Sequence, residues 1–460
     1  MKKLLKWAAV ATVVLVASLA VIYRAVNRVP SETLSPEERV AVIFDDGGCV
    51  SCHSENPKLP FYAELPVMGK VVKQDVDSGY RAFDITAMNE AMKNGTAVHP
   101  VDLAKVEKVV LDGRMPMAKY YLVHWGSSLT SAKTDIVLDW VWNTRKAMYN
   151  DAVCEALAAE PVRPVDFSVP VDPAKVALGK ALFHDPRLSA DNTVSCSSCH
   201  GLNTGGVDNE QYSDGVGGQL GGVNAPTVYN AYYNFVQFWD GRAATLADQA
   251  AGPPLNPVEM ACESFDEIVA KLAADKEFSK AFRAVYPEGL SQTTITDAIA
   301  EFEKTLLTPD SRFDLYLRGD ETALSSTELN GYELFKKYDC ATCHVGKNLG
   351  GLSYEPMGLR ADYFGDRGLE LTNEDNGRYK ETSLERDRHR FKVPGLRNVA
   401  LTWPYFHDGT RATLEEAVRD MAVYQTGVSL KENEVGDITA FLYTLTGKVG
   451  GEFLTNDNSK

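Results

Sequence analysis

Basic residues, histidine and cysteine are all scarce in this chain of 460 residues. Lys and Arg number 47 against 63 Asp and Glu, a formal charge of −16. Such a balance repels phosphate and excludes nucleic acid as a partner; it suits an acidic exported protein. The apolar share of 44% and charged share of 24% are ordinary for a globular chain, which excludes disorder. Little of the sequence carries strand periodicity, and helical periodicity dominates, so the fold is read as mainly α. Helices are expected over 131–149, 172–183, 264–286, 293–307, 325–338 and 432–445, with Ser325 and Glu328 forming a capping box.

A charge-free apolar run, Trp7 to Tyr23, follows Lys2, Lys3 and Lys6. Its length is at the lower limit for a membrane-crossing helix, and the preceding lysines keep the N-terminus cytoplasmic. Residues 1–30 are therefore read as a single-pass anchor in the bacterial inner membrane, with the body on the periplasmic side. Small residues near Ala20 leave a cleaved signal as the alternative.

The cysteines are few, but six of the eight are concentrated in three Cys-x-x-Cys-His pentapeptides: Cys49, Cys52 and His53; Cys196, Cys199 and His200; Cys340, Cys343 and His344. Two thiols at this spacing bind the two vinyl groups of one haem, and the adjoining imidazole binds its iron. Three covalently bound c-type haems are expected. Cys154 and Cys262 remain, either as free thiols or as a disulfide in an oxidising compartment.

After the anchor come three segments: a mono-haem domain over 31–150, a second haem domain over 165–315 beyond a proline-rich linker, and a third over 320–460. The last two repeat one another. Gly179 to Phe183 echoes Gly331 to Phe335, Pro226 to Asn230 echoes Pro394 to Asn398, and Phe238 to Leu246 aligns without a gap on Phe406 to Leu414. The expected architecture is three cytochrome c-like haem domains, the last two related by internal duplication.

The far side of each iron decides its role. Met115, just before Pro116, is read as the distal ligand of the first haem, with Met117 and His124 as alternatives; Met421 is read as that of the third. A thioether raises the potential and closes an iron to substrate, which makes both haems electron relays. The gapless alignment puts Pro253 where the third segment has Met421. Proline cannot ligate iron, so the second iron keeps a vacancy, and Met260 lies after a proline-rich turn where the repeat places no ligand. Glu259 and nearby amides surround that vacancy, as heterolytic peroxide cleavage requires.

Taken together, residues 165–450 resemble the bacterial di-haem cytochrome c peroxidases. The likeness rests on His184 to Leu188, Cys196 to His200, Asn224 to Thr227, Phe238 to Arg242, Gln249 to Met260, Thr308 to Asp310, Cys340 to His344 and Arg397 to His407. With the anchor and extra haem motif, the chain is similar to the tri-haem quinol peroxidases. The resemblance implies hydrogen peroxide as substrate, His200 as proximal ligand of the peroxidatic haem, and Gln249 and Glu259 on its distal side. It implies Trp239 between the two haems and a calcium ion held by Asn224, Thr402 and Pro404. Electrons would come from membrane quinol or a soluble c-type cytochrome. Many members carry a blocking histidine in the loop that here reads Ser213 to Gly218, with Val216 at the matching place. A five-coordinate or weakly water-bound iron that needs no reductive activation is the expectation. The rivals are a peroxidase-inactive electron carrier and the related di-haem enzyme that matures tryptophan-derived quinones, which has tyrosine where this chain has Met421.

Overall fold

The structure, a computed structural model, describes residues 2–57, 59–121, 124–149 and 153–456. They form two compact units, residues 1–150 and 151–460.

The first unit opens with the helix Lys2–Val26. Its stretch Leu5–Val26 has a mean hydropathy of 2.2, and none of it is buried by the protein. Asn27 ends this helix. Its side-chain amide donates to the carbonyls of Tyr23 at 3.0 Å and Trp125 at 2.7 Å, and its Oδ1 accepts the amide of Ser128 at 3.0 Å. The rest of the unit packs helices Pro36–Asp46, Thr86–Asn94, Pro100–Leu111 and Ser131–Met148 around Val40, Ile43, Leu103, Val137 and Val141, all fully buried. Burying each such side chain contributes about 1.5–3 kcal/mol. A Ser35/Glu38 capping box starts the first of these helices, and the Thr130 hydroxyl starts the last.

The second unit contains two helix pairs built alike. Helix Pro173–Phe183 packs on Gln292–Glu303, and Ser326–Lys337 packs on Glu432–Tyr443. Both crossings depend on a glycine. A Cβ at Gly179 would lie 1.8 Å from the Ala298 carbonyl oxygen, and one at Gly331 would lie 1.9 Å from that of Asp437. The second crossing is filled by Phe313, Tyr332, Phe335 and Phe441, and beside it a fully buried Arg397–Asp314 pair at 2.7 Å is completed by Ser311 and the Arg163 carbonyl. Such a pair holds only because its remaining donors are satisfied.

One sequence expectation changes, and one open alternative closes. The periodic run 264–286 is two helices, Phe265–Ala274 and Lys276–Val285, because the Asp275 side chain accepts the amide of Phe278 and caps a new start. Cys154 and Cys262 are both unbridged: Cys262 is buried with its thiol on the Leu188 carbonyl, while Cys154 packs on Gly319. Among the described residues, strand is confined to two short antiparallel pairs.

Candidate haem-binding and catalytic site

Each pentapeptide forms one tight turn: Cys49–His53 and Cys196–Cys199 are helical, and Cys340–Thr342 is a 3-10 turn. The Nδ1 of His53 bonds to the Phe83 carbonyl at 2.8 Å, and that of His344 to the Leu349 carbonyl at 2.9 Å. A ring held this way presents Nε2 as a ligand. His200 is different: its Nδ1 is buried with no hydrogen-bond partner. Burial lowers the pKa of all three imidazoles, which favours the neutral, coordinating form. The six cysteines are unbridged, and burial pushes the thiols of Cys49, Cys196 and Cys340 up to about 12. Paired unbridged thiols, each pair beside a neutral imidazole, fit covalent haem c.

Met115 and Met117 are half-buried on the loop before helix Ala118–Tyr121. His124 is already engaged: its Nε2 lies 2.5 Å from the Tyr62 hydroxyl, and its ring stacks on Tyr120 at 4.0 Å. Met421 opens a π turn, Met421–Thr426, that continues helix Leu414–Asp420. Such turns concentrate at functional sites. Met421 packs in one apolar cluster with Trp239, Phe406, Tyr363 and Phe391.

In the second motif's segment, Gln249 lies on the short helix Leu246–Ala250, capped by Thr245 and Asp248. A 3-10 turn, Pro253–Leu255, follows. Asn256 then folds the chain back, accepting the amides of Glu259 and Ala261 on its carbonyl, and its side chain donates to Glu259 Oε1 at 2.7 Å. Burial raises the Glu259 carboxyl above the usual range, while Arg242 and the Asn256 bond pull against that rise. Arg242, lying over the Phe238 ring at 3.5 Å, and Asn256 in its bonding role are parts that motif reading missed. Met260 is buried in the core with Leu178 and Leu182. The amide of Val216 donates to the Glu259 carbonyl at 2.8 Å, and its loop is closed by bonds Gly215–Gln219 and Gly221–Ser213.

Trp239 donates its indole N–H to the Asn224 carbonyl at 2.9 Å and meets His407 edge-on at 6.4 Å. A cavity of about 40 Å³ opens beside it, lined by Phe238, Asp240 and Arg242 among others. The Asn224 amide bonds to the His407 carbonyl at 2.8 Å, and its side chain donates to the Glu210 carbonyl. The Thr402 hydroxyl donates to Val399, and Pro404 follows a cis bond from Trp403. Asn209, not singled out from sequence, donates to the carbonyls of Leu401 and Trp403. His407 has a structural role: its Nε2 bonds to Asp375 at 2.8 Å, which Arg367 also holds. Burial opposes ionisation of Asp375, but bonds from His407 and Arg367 win and keep it well below the usual carboxylate range.

Residues 173–322 match the family model described as di-haem cytochrome c peroxidase, and residues 13–143 match that of a haem-binding domain. The chain is 49% identical to cytochrome c peroxidase Ccp of Escherichia coli K12, over 91% of this chain and 90% of that protein. It is 48% identical to a cytochrome c551 peroxidase of Nitrosomonas europaea, over 63% of this chain and 85% of that one. A crystal structure of a MauG-like protein associated with microbial copper homeostasis superposes with a TM-score of 0.55 at 29% identity, covering 63% of this chain and 94% of its own. A covalent haem c chemistry common to both units, and likeness over nine-tenths of the chain, lead to one conclusion: the chain belongs to the di-haem cytochrome c peroxidase family.

Proposed function

We propose that this haem peroxidase reduces hydrogen peroxide at the iron held by His200, with Glu259 and Gln249 as the distal groups. The observation that carries the assignment is Glu259. A half-buried carboxyl with a raised pKa follows the turn at Pro253, the position at which the repeat partner has Met421. The haem attached at Cys196 and Cys199 supplies, when bound, an iron that takes up peroxide and exchanges electrons with it. Glu259 takes the proton from the peroxide oxygen nearer the iron and returns it to the outer oxygen, which leaves as water. The Asn256 side chain holds the carboxyl in place through Oε1. The Gln249 amide orients the peroxide by hydrogen bonding. Two electrons and two protons convert one peroxide to two waters.

His344 with Met421, and His53 with Met115, hold the two electron-relaying haems, which with the haem at His200 make three. Trp239 assists transfer, a role supported by its sharing one apolar cluster with Met421. The two glycine-dependent helix pairs support a duplication of haem domains over 165–315 and 320–460, after a mono-haem domain over 31–150. Asn224, Thr402 and Pro404 are the proposed calcium ligands. Electrons come from membrane quinol or a soluble cytochrome, and the helix Lys2–Val26 anchors the protein on the periplasmic face of the inner membrane; its exposed apolar surface supports this. The oxidised holoprotein should show a high-spin ferric signal and turn over peroxide at once. An entirely low-spin spectrum with no turnover would instead make the chain an electron carrier.

A further inference from the structure

The first unit holds a polar cluster that peroxide cleavage does not use. The Tyr120 side chain lies on Gly48, where a Cβ would fall 2.0 Å from its hydroxyl; Gly48 directly precedes the attachment turn at Cys49. His124 stacks on Tyr120 at an interplanar angle of 11°, and its Nε2 meets the Tyr62 hydroxyl at 2.5 Å. Three rings thus lead outward from the first haem motif, and all three are half-buried rather than sealed.

The surroundings are apolar and close to the membrane helix. The segment carrying Tyr62 exposes Phe61 at 83%, Val67 at 75% and Leu65 at 50%, and Trp125, next to His124, is 50% exposed. A run of large apolar side chains left in water marks an interaction surface. The turn Trp125–Ser128 is bonded to Asn27, the residue that ends the apolar helix. This ties the cluster to the end of the helix proposed above as the membrane anchor, which would bring it within reach of a ligand dissolved in lipid.

A ligand for this place needs an apolar body, a flat ring and a hydroxyl to pair with an imidazole. We infer that Tyr62 and His124 form the binding site for a membrane quinol, whose hydroxyl donates to His124 Nε2 in place of the tyrosine. The inference rests on quinol being the electron donor. Oxidation breaks two O–H bonds and yields the quinone; the two electrons pass to hydrogen peroxide, the co-reactant of the peroxidase, and the protons leave by way of His124. The sum is quinol plus peroxide giving quinone plus two waters.

The test uses full-length, detergent-solubilised holoprotein and 2-heptyl-4-hydroxyquinoline N-oxide as a quinol mimic, followed by fluorescence quenching. Wild type should bind it saturably. His124→Gln should weaken binding at least tenfold and Tyr62→Phe several-fold, with the low-spin spectrum of the first haem unchanged. Phe61→Ser, at a site too exposed to disturb folding, should raise the KM for decylubiquinol. Unaltered binding in both polar variants would overturn the site. So would a changed haem spectrum in His124→Gln, which would make His124 an iron ligand. If wild type neither binds the mimic nor oxidises decylubiquinol while reduced soluble cytochrome c supports turnover, the donor reading itself fails and the site with it.

Discussion

Replacing Glu259 with glutamine keeps the size of the side chain and much of its hydrogen bonding, but removes its ability to move a proton. The Oε1 that accepts from Asn256 at 2.7 Å keeps a counterpart in the amide oxygen, so the turn from Asn256 to Ala261 should survive. A positioned acid–base group contributes about 10²–10⁴ in rate, equivalent to about 3–5 kcal/mol of barrier. Steady-state peroxide turnover by Glu259→Gln should therefore fall by about 10³, with haem content by pyridine haemochrome unchanged. The pH profile adds an independent check. Burial raises the Glu259 pKa, so the acidic limb of kcat/KM should lie above that of an ordinary glutamate. Arg242 lowers that pKa, so Arg242→Leu should move the limb to higher pH, never lower. Turnover within a few-fold of wild type in Glu259→Gln, or a limb moving down in Arg242→Leu, would refute the assignment.

Val216→His should restore a blocking ligand: the oxidised high-spin EPR signal should shrink and turnover should show a lag that prior reduction abolishes; immediate turnover would count against the vacancy. Met421→His should lower the potential of the third haem in spectroelectrochemical titration, because a thioether holds it high, and an unmoved potential would exclude Met421 as ligand. Gly179→Ala and Gly331→Ala each force a Cβ within 2 Å of a facing carbonyl oxygen, so each should destabilise by about 1–3 kcal/mol or more and lower Tm in calorimetry. Denatured, unreduced holoprotein should present two thiols to Ellman's reagent, those of Cys154 and Cys262; none would mean a bridge.

What was legible in the sequence was covalent or periodic. The haem motifs, the capping box at Ser325 and the helices over 172–183, 325–338 and 432–445 all follow from local spacing, and the structure places helices there. The break at Asp275 was missed because apolar periodicity runs through it, and only the cap on Phe278 reveals a new helix start. Asn256 and Arg242 were hidden for another reason. Their influence on Glu259 depends on a turn and on a ring contact with Phe238, neither of which has a sequence period. The Tyr62–His124 contact joins positions far apart in the chain, and the pair in isolation reads as two unrelated polar residues.

Under the roles proposed above, the difference between the two segments comes down to how two similar helices end. Leu246–Ala250 and Leu414–Asp420 both start from a threonine in a capping box, Thr245 with Asp248 and Thr413 with Glu416. The second helix continues through Met421 into a π turn, which points a thioether into the cluster shared with Trp239. In the first, Pro253 stands at the aligned position. It has no N–H to extend the ladder and its ring clashes with the preceding turn, so the helix stops and the chain passes into the 3-10 turn Pro253–Leu255. That forced change of direction lets Asn256 fold the chain back and present Glu259. Restoring methionine alone at 253 would therefore not rebuild the relay haem, since the turn beyond it would still follow Pro254 and Asn256. Under the assignment proposed above, one residue both withholds a sixth ligand and bends the backbone that brings the Glu259 carboxylate, which would couple an open iron to its acid–base group.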